Sequence, residues 1–164
     1  MTDNSEAPGP LKVFLSFAIA LVLRIIPLKP AWALMNPDWV ALILIFWTLA
    51  MPQRVGVLRA WLLGLIADAL TGRLLGQHAL AYAVMVYLSI RGKASLSVLR
   101  KPVQGVWILG LLMIGQLVIR WTEQQELPSG MELAYWYPSL TGALLWPLIN
   151  GLLQHDADTT GRLP

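Results

Sequence analysis

The residue best placed to do chemistry in this 164-residue chain is an acid in an oily surround. Asp68 stands in the run Gly64-x-x-x-Asp68-x-x-x-Gly72-x-x-x-Gly76. Steps of four keep all four positions near one face of a helix. Glycine there lets a second backbone come close, so the face reads as a packing seam holding one acid. A carboxyl near the bilayer interior costs about 2.5–3.5 kcal/mol on insertion scales, so it must point at protein and be hydrogen-bonded or protonated. One reading makes Asp68 a partner-binding or relay residue. The other makes it a helix-packing anchor, or the cap of a new segment after a break.

A second constellation is Asn36-Pro37-Asp38-Trp39, then Trp47, then Pro52-Gln53-Arg54. Asn36 or Asp38 can cap a following helix, and Pro37 suits its first turn. Trp39 and Trp47 share a face about two turns apart, which would serve either a partner helix or the lipid interface. A third is Trp146-Pro147, where a mid-helix proline removes a hydrogen bond and kinks the chain. His78 and His155 stand far apart and no acidic cluster has metal spacing, so both read as interfacial or tail residues, with no metal or other cofactor expected. Arg24, Arg59 and Arg120 lie near the ends of apolar runs, where snorkelling accounts for them. The chain has no Cys, which excludes disulfides, thiolate metal sites and a cysteine nucleophile.

The elements that must position these residues are hydrophobic. The chain is 57% hydrophobic and 13% charged, against about 25% charged in ordinary soluble domains. Too few charges remain to cover a water-facing globule, and burial in lipid removes that need. Six runs alternate with proline and glycine: 11–26, 38–51, 55–75, 78–90, 103–121 and 133–153. A spanning helix needs about 20 apolar residues, so the first, second and fourth runs are short, and the second admits a re-entrant path. The fold class is therefore an all-α integral membrane protein, a bundle of about six short transmembrane helices over residues 11–153. Residues 1–10 and 154–164 read as disordered tails. An Asp and a Glu before the first run speak against a cleaved signal peptide and for a retained helix.

With six spans, the side of the termini holds Lys12, Arg54, Arg59, Arg91, Lys93, Arg100, Lys101 and Arg162, and the other holds Arg24, Lys29, Arg73 and Arg120. The excess of cations places both termini in the cytoplasm, with the 91–101 loop as the strongest anchor. Glu123, Glu126 and Glu132 then face the periplasm. A net charge of +3 is too small to imply nucleic acid.

The Asn36-Pro37-x-Trp39 start, Trp47, the Pro52-x-Arg54 turn, the Gly64, Asp68, Gly72, Gly76 ladder, Tyr87 closing the fourth run and Trp146-Pro147 together resemble the rod shape-determining protein MreD family. The resemblance covers about residues 12–153. It implies a non-enzymatic component of the bacterial inner membrane that works with the bitopic protein MreC. It further implies indirect links to MreB filaments, to RodA and to its penicillin-binding transpeptidase in peptidoglycan synthesis. In architecture the chain also resembles the substrate-binding subunit fold of energy-coupling-factor transporters.

Three functions compete. A membrane scaffold would use the glycine seam for lateral packing, and a bulky residue at Gly64 or Gly72 would then break partner association. A small-molecule binding or transport subunit would use the bundle as a pocket, and needs convergent polar residues, of which Thr48, Asp68, Ser89 and Asn150 are the candidates. An intramembrane enzyme needs an acid/base partner for Asp68, and no local nucleophile motif supplies one.

Overall fold

The computed structural model describes residues 9–98, 101–123, 130 and 133–159. The start of the N-terminal tail, Glu126, Glu132, Arg100 and Arg162 lie outside the described residues. Among the described residues the chain is all helix, with no strand.

Proline opens helix α1, Pro10–Ile25, where its missing N–H costs nothing. A short α2, Pro30–Ala33, follows in the connection. Helix α3, Trp39–Ala50, starts at Asp38, whose carboxylate accepts the Ala41 N–H at 3.0 Å. Pro37 therefore precedes the cap and does not sit in the first turn. Helix α4 spans Val57–Thr71, α5 Gln77–Val98 and α6 Lys101–Thr122. A single 3-10 turn, Ala134–Trp136, leads into α7, Tyr137–Thr159, which carries Pro147 inside it.

These bounds correct two expectations. The 91–101 segment is helical through Val98, and Arg91 lies over the Tyr87 ring at 5.5 Å on the same face. Residues 154–159, expected to be disordered, continue α7 as helix.

The glycine ladder is also not one helical face. Helix α4 stops at Thr71 because Gly72 adopts φ 64°, the left-handed conformation that ends helices. Gly76, at φ 110°, shapes the turn into α5. Only Gly64 and Asp68 share the α4 face. A Gly72→Ala substitution should lower stability by about 1–2 kcal/mol through the left-handed penalty alone, read as a drop in melting temperature in detergent.

Helices α4, α5, α6 and α7 pack in sequence, while α3 packs against α1, α5 and α7. That makes α3 the central helix. Val40, Ala41, Leu42, Leu44, Ile45, Phe46, Trp47 and Thr48 are all buried. Its twelve residues rise about 18 Å, less than the roughly 30 Å of a hydrocarbon core. A helix sheathed by its neighbours has no lipid thickness to match, so shortness is tolerated there. Trp47 donates its indole N–H to Ser16 Oγ at 2.8 Å and so ties α3 to α1.

The outer surface is oily. Phe14 and Ile19 on α1, Leu58 on α4, Leu117 on α6 and Leu144 on α7 are all exposed. Exposed apolar side chains in this number suit contact with a membrane or a partner chain. By length and composition 103–122 of α6 is able to cross a membrane, and α3 counts as a shorter apolar helix.

Candidate functional site

The site begins at the α4–α5 turn. Asp68 lies in the last turn of α4 and is fully buried. Its carboxylate crosses the turn and accepts backbone N–H groups at the start of α5: Gly76 at 2.8 Å and His78 at 3.0 Å, with Ala79 more distant at 3.5 Å. The first N–H groups of a helix have no partner within it, and an anion suits their positive dipole end. Asp68 thus caps the helix that follows it, in keeping with its reading as an anchor. The seam is equally internal. A Cβ on Gly64 would lie 2.3 Å from the Ala79 Cα, so α4 and α5 touch backbone to backbone there.

Asp68 also accepts from the His78 ring, with Nδ1 at 2.6 Å from Oδ1. The other ring nitrogen, Nε2, meets an Arg24 guanidinium nitrogen. A guanidinium only donates, so Nε2 accepts and Nδ1 carries the proton toward Asp68. Arg24 then pairs with Asp38 Oδ1 at 3.1 Å. Asp38, already the cap of α3, takes the Tyr82 hydroxyl at 2.9 and 3.0 Å. The result is one continuous polar chain: Asp68, His78, Arg24, Asp38, Tyr82. It joins α4, α5, α1 and the start of α3.

This overturns two expectations. His78 does not face lipid or water as an interfacial side chain would; it is 1% exposed and enclosed by protein as a central link of the polar chain. Arg24 does not snorkel outward; it turns inward to Asp38 and His78 because those acceptors lie within the protein at its own depth. Tyr82 was missed, since one tyrosine in an apolar helix carries no signal of its own. Arg24, Asp38 and His78 did share a readable clue, as all three fall at run ends that the count of cations assigns to one side. A Tyr82→Phe variant should cost about 1.5–3 kcal/mol, the usual worth of a hydrogen bond to a charged group, measured by thermal unfolding in detergent.

A second polar group ties α6 to α7. Gln116 donates from Nε2 to the Tyr135 carbonyl at 2.9 Å, and the Tyr135 hydroxyl donates back to the Gln116 carbonyl at 3.0 Å. The Ser139 hydroxyl donates to Gln116 Oε1.

Between the two polar groups lies a cleft of about 520 Å³. Arg24, Asp38 and His78 reach it from one side, and Gln116, Tyr135 and Ser139 from the other. Arg73 and Glu123 also line it and pair across 50 residues of sequence.

The remaining expected site residues are placed separately. Trp39 donates to Asn36 Oδ1 at 2.8 Å, and Trp47 is held by Ser16, so these indole N–H groups are satisfied inside the chain and not in an open groove. Pro37 is buried and faces Gly142. Pro52 and Arg54 form the turn before α4, where the Arg54 carbonyl accepts Arg59. Tyr87 is half exposed. Trp146 is buried on the inner face of α7 while Pro147 lies on its outer face.

Comparison with known proteins decides the kinship. The family model for "rod shape-determining protein MreD" matches residues 7–155. The chain belongs to the MreD family. A curated relative, the rod shape-determining protein MreD of Haemophilus influenzae, is 29% identical over 138 residues, covering 84% of this chain and 85% of that one. No solved structure matches. Membership in the MreD family carries a role in determining rod shape, in a structural family associated with the membrane and not known for enzymes.

Proposed function

We propose that this MreD-family chain is a non-enzymatic scaffold of the bacterial inner membrane that binds MreC and helps organise peptidoglycan synthesis during rod growth. The family match over 7–155 carries the reading. Two physical features support it. The charged groups of the buried chain are committed to one another, which suits a part that must hold shape. The exposed apolar faces of α1, α4, α6 and α7 offer lateral surface to partner helices.

In this reading the chain crosses the membrane several times with both termini in the cytoplasm, and the cleft faces the periplasm. Through MreC the chain would act at one remove on MreB, RodA and the transpeptidase. The test is replacement in a rod-shaped bacterium depleted of its own MreD-family protein. Rods and MreC copurification are expected on expression of the chain. Spherical cells despite normal membrane levels, with no MreC recovered, would refute the reading.

The cleft favours a second reading, a small-molecule binding or transport subunit. At about 520 Å³ it falls in the range of ligand pockets, roughly 300–1,000 Å³. The energy-coupling-factor type of bundle belongs with this reading, and an experimental structure that superposes on such a subunit would support it.

A further inference from the structure

The residues around the cleft have one thing in common. Arg24 closes α1, Asp38 opens α3, Arg73 follows α4, His78 opens α5, Glu123 follows α6 and Ser139 opens α7. Three stand at helix C-termini and three at helix N-termini, and all meet at one end of the bundle. In a bundle that spans a bilayer, that end sits at the depth of the lipid headgroups.

The cleft carries both signs of charge, Arg24 and Arg73 against Asp38 and Glu123. Buried apolar side chains, Met85, Leu112 and Ile119, also line it. One donor at its margin is unmet: Arg24 Nε is buried and has no hydrogen-bond partner among the described residues. Arg73 and Glu123 pair in a partly exposed setting, where an ion pair is worth about 0–1 kcal/mol and opens readily. A ligand that brings an anion and a cation together can replace that pair sign for sign.

We propose that the cleft binds a phosphate ester bearing a primary amine, the headgroup chemistry of a zwitterionic aminophospholipid. The phosphate oxygens take donors from Arg73 and from the Arg24 side, and the ammonium donates to Glu123. The first carbons of the acyl chains lie on Leu112 and Ile119. A bilayer supplies such a group at far higher local concentration than solution does, and arginine is the side chain suited to phosphate. The inference rests on the multi-span reading, not on the identity of any protein partner.

The test uses the full chain purified in a mild detergent, with helicity checked by circular dichroism. Loss of helicity in detergent would mark failure of the membrane reading itself, independently of the ligand. With helicity intact, native mass spectrometry and thermal melting compare dioleoyl phosphatidylethanolamine, phosphatidylglycerol, phosphatidylcholine and free phosphoethanolamine. Phosphatidylethanolamine should bind best and raise the melting temperature. Phosphatidylcholine, whose quaternary amine has no N–H to donate, should bind about tenfold more weakly, as one charge-assisted contact is lost.

Glu123→Gln should abolish that preference and leave the melting temperature without lipid nearly unchanged. Arg73→Gln should weaken both zwitterionic lipids about tenfold. Stabilisation by phosphoethanolamine at concentrations matching the lipid would support the same chemistry with a soluble source. Equal binding of phosphatidylglycerol, an unchanged preference in Glu123→Gln, or a polypeptide crosslinked in the cleft would overturn the proposal.

Discussion

Asp68→Ala is expected to cost about 3–5 kcal/mol, the penalty for breaking a buried ionic contact by removing one partner. The variant strips acceptors from the N–H groups of Gly76 and His78 and from the His78 ring at once. The two His78 donors are buried between α4 and α5, where water does not replace the carboxylate, while the Gly76 N–H is part-buried. The loss also travels, because His78 without its Asp68 contact holds Arg24 less firmly, and Arg24 positions Asp38 at the start of α3.

Asp68→Asn keeps one oxygen acceptor and should lie between wild type and the alanine variant. Double-mutant cycles of Asp68 with Arg24 should show non-additivity above about 0.5 kcal/mol, as expected inside one network. Thermal unfolding in detergent measures all of these. An Asp68→Ala protein that melts within a degree of wild type would mean that the polar chain does not hold the helices.

Gly64→Ala has the second large effect, through volume alone. The added methyl would fall 2.3 Å from Ala79 Cα and 2.4 Å from Ala79 N. Those atoms are backbone in a helix and do not swing aside, so α4 and α5 must separate. The expected cost is about 3 kcal/mol, at the upper end for overpacked cores. Separation would also lengthen the Asp68 contacts one turn away.

Gly105 supplies the control, since a Cβ there meets nothing within 4 Å and Gly105→Ala should be neutral or slightly stabilising. The pair redirects the expectation first attached to the glycine ladder. A bulky residue at Gly64 acts within the chain, so loss of the fold, seen as a lower melting temperature with no partner present, precedes any loss of association.

Much of the architecture was legible. Low charge and high apolar content pointed to a helical bundle, and prolines at 37 and 52 marked breaks close to where they occur, whereas Pro10, read as tail, opens α1. Helix ends were less so. The α4 stop depended on Gly72 taking a positive φ, and periodicity cannot tell a glycine in a seam from a glycine in a turn. Arg91 and Lys93 looked like loop residues because they are charged. They continue α5 because charged side chains can point outward while the helix keeps its own backbone hydrogen bonds.

Sequence alone determined the helical content and that the Asp68 carboxyl must be held by protein, since both follow from transfer energies that a composition or a lone acid already expresses. Only the tertiary structure decided what Asp68 touches, that Arg24 and His78 turn inward, and that α3 is the centre of the bundle. Those outcomes depend on which acceptors lie within about 3 Å once four helices meet. Residues 24, 38, 68, 78 and 82 are separated by too many positions for any local pattern to announce their contact.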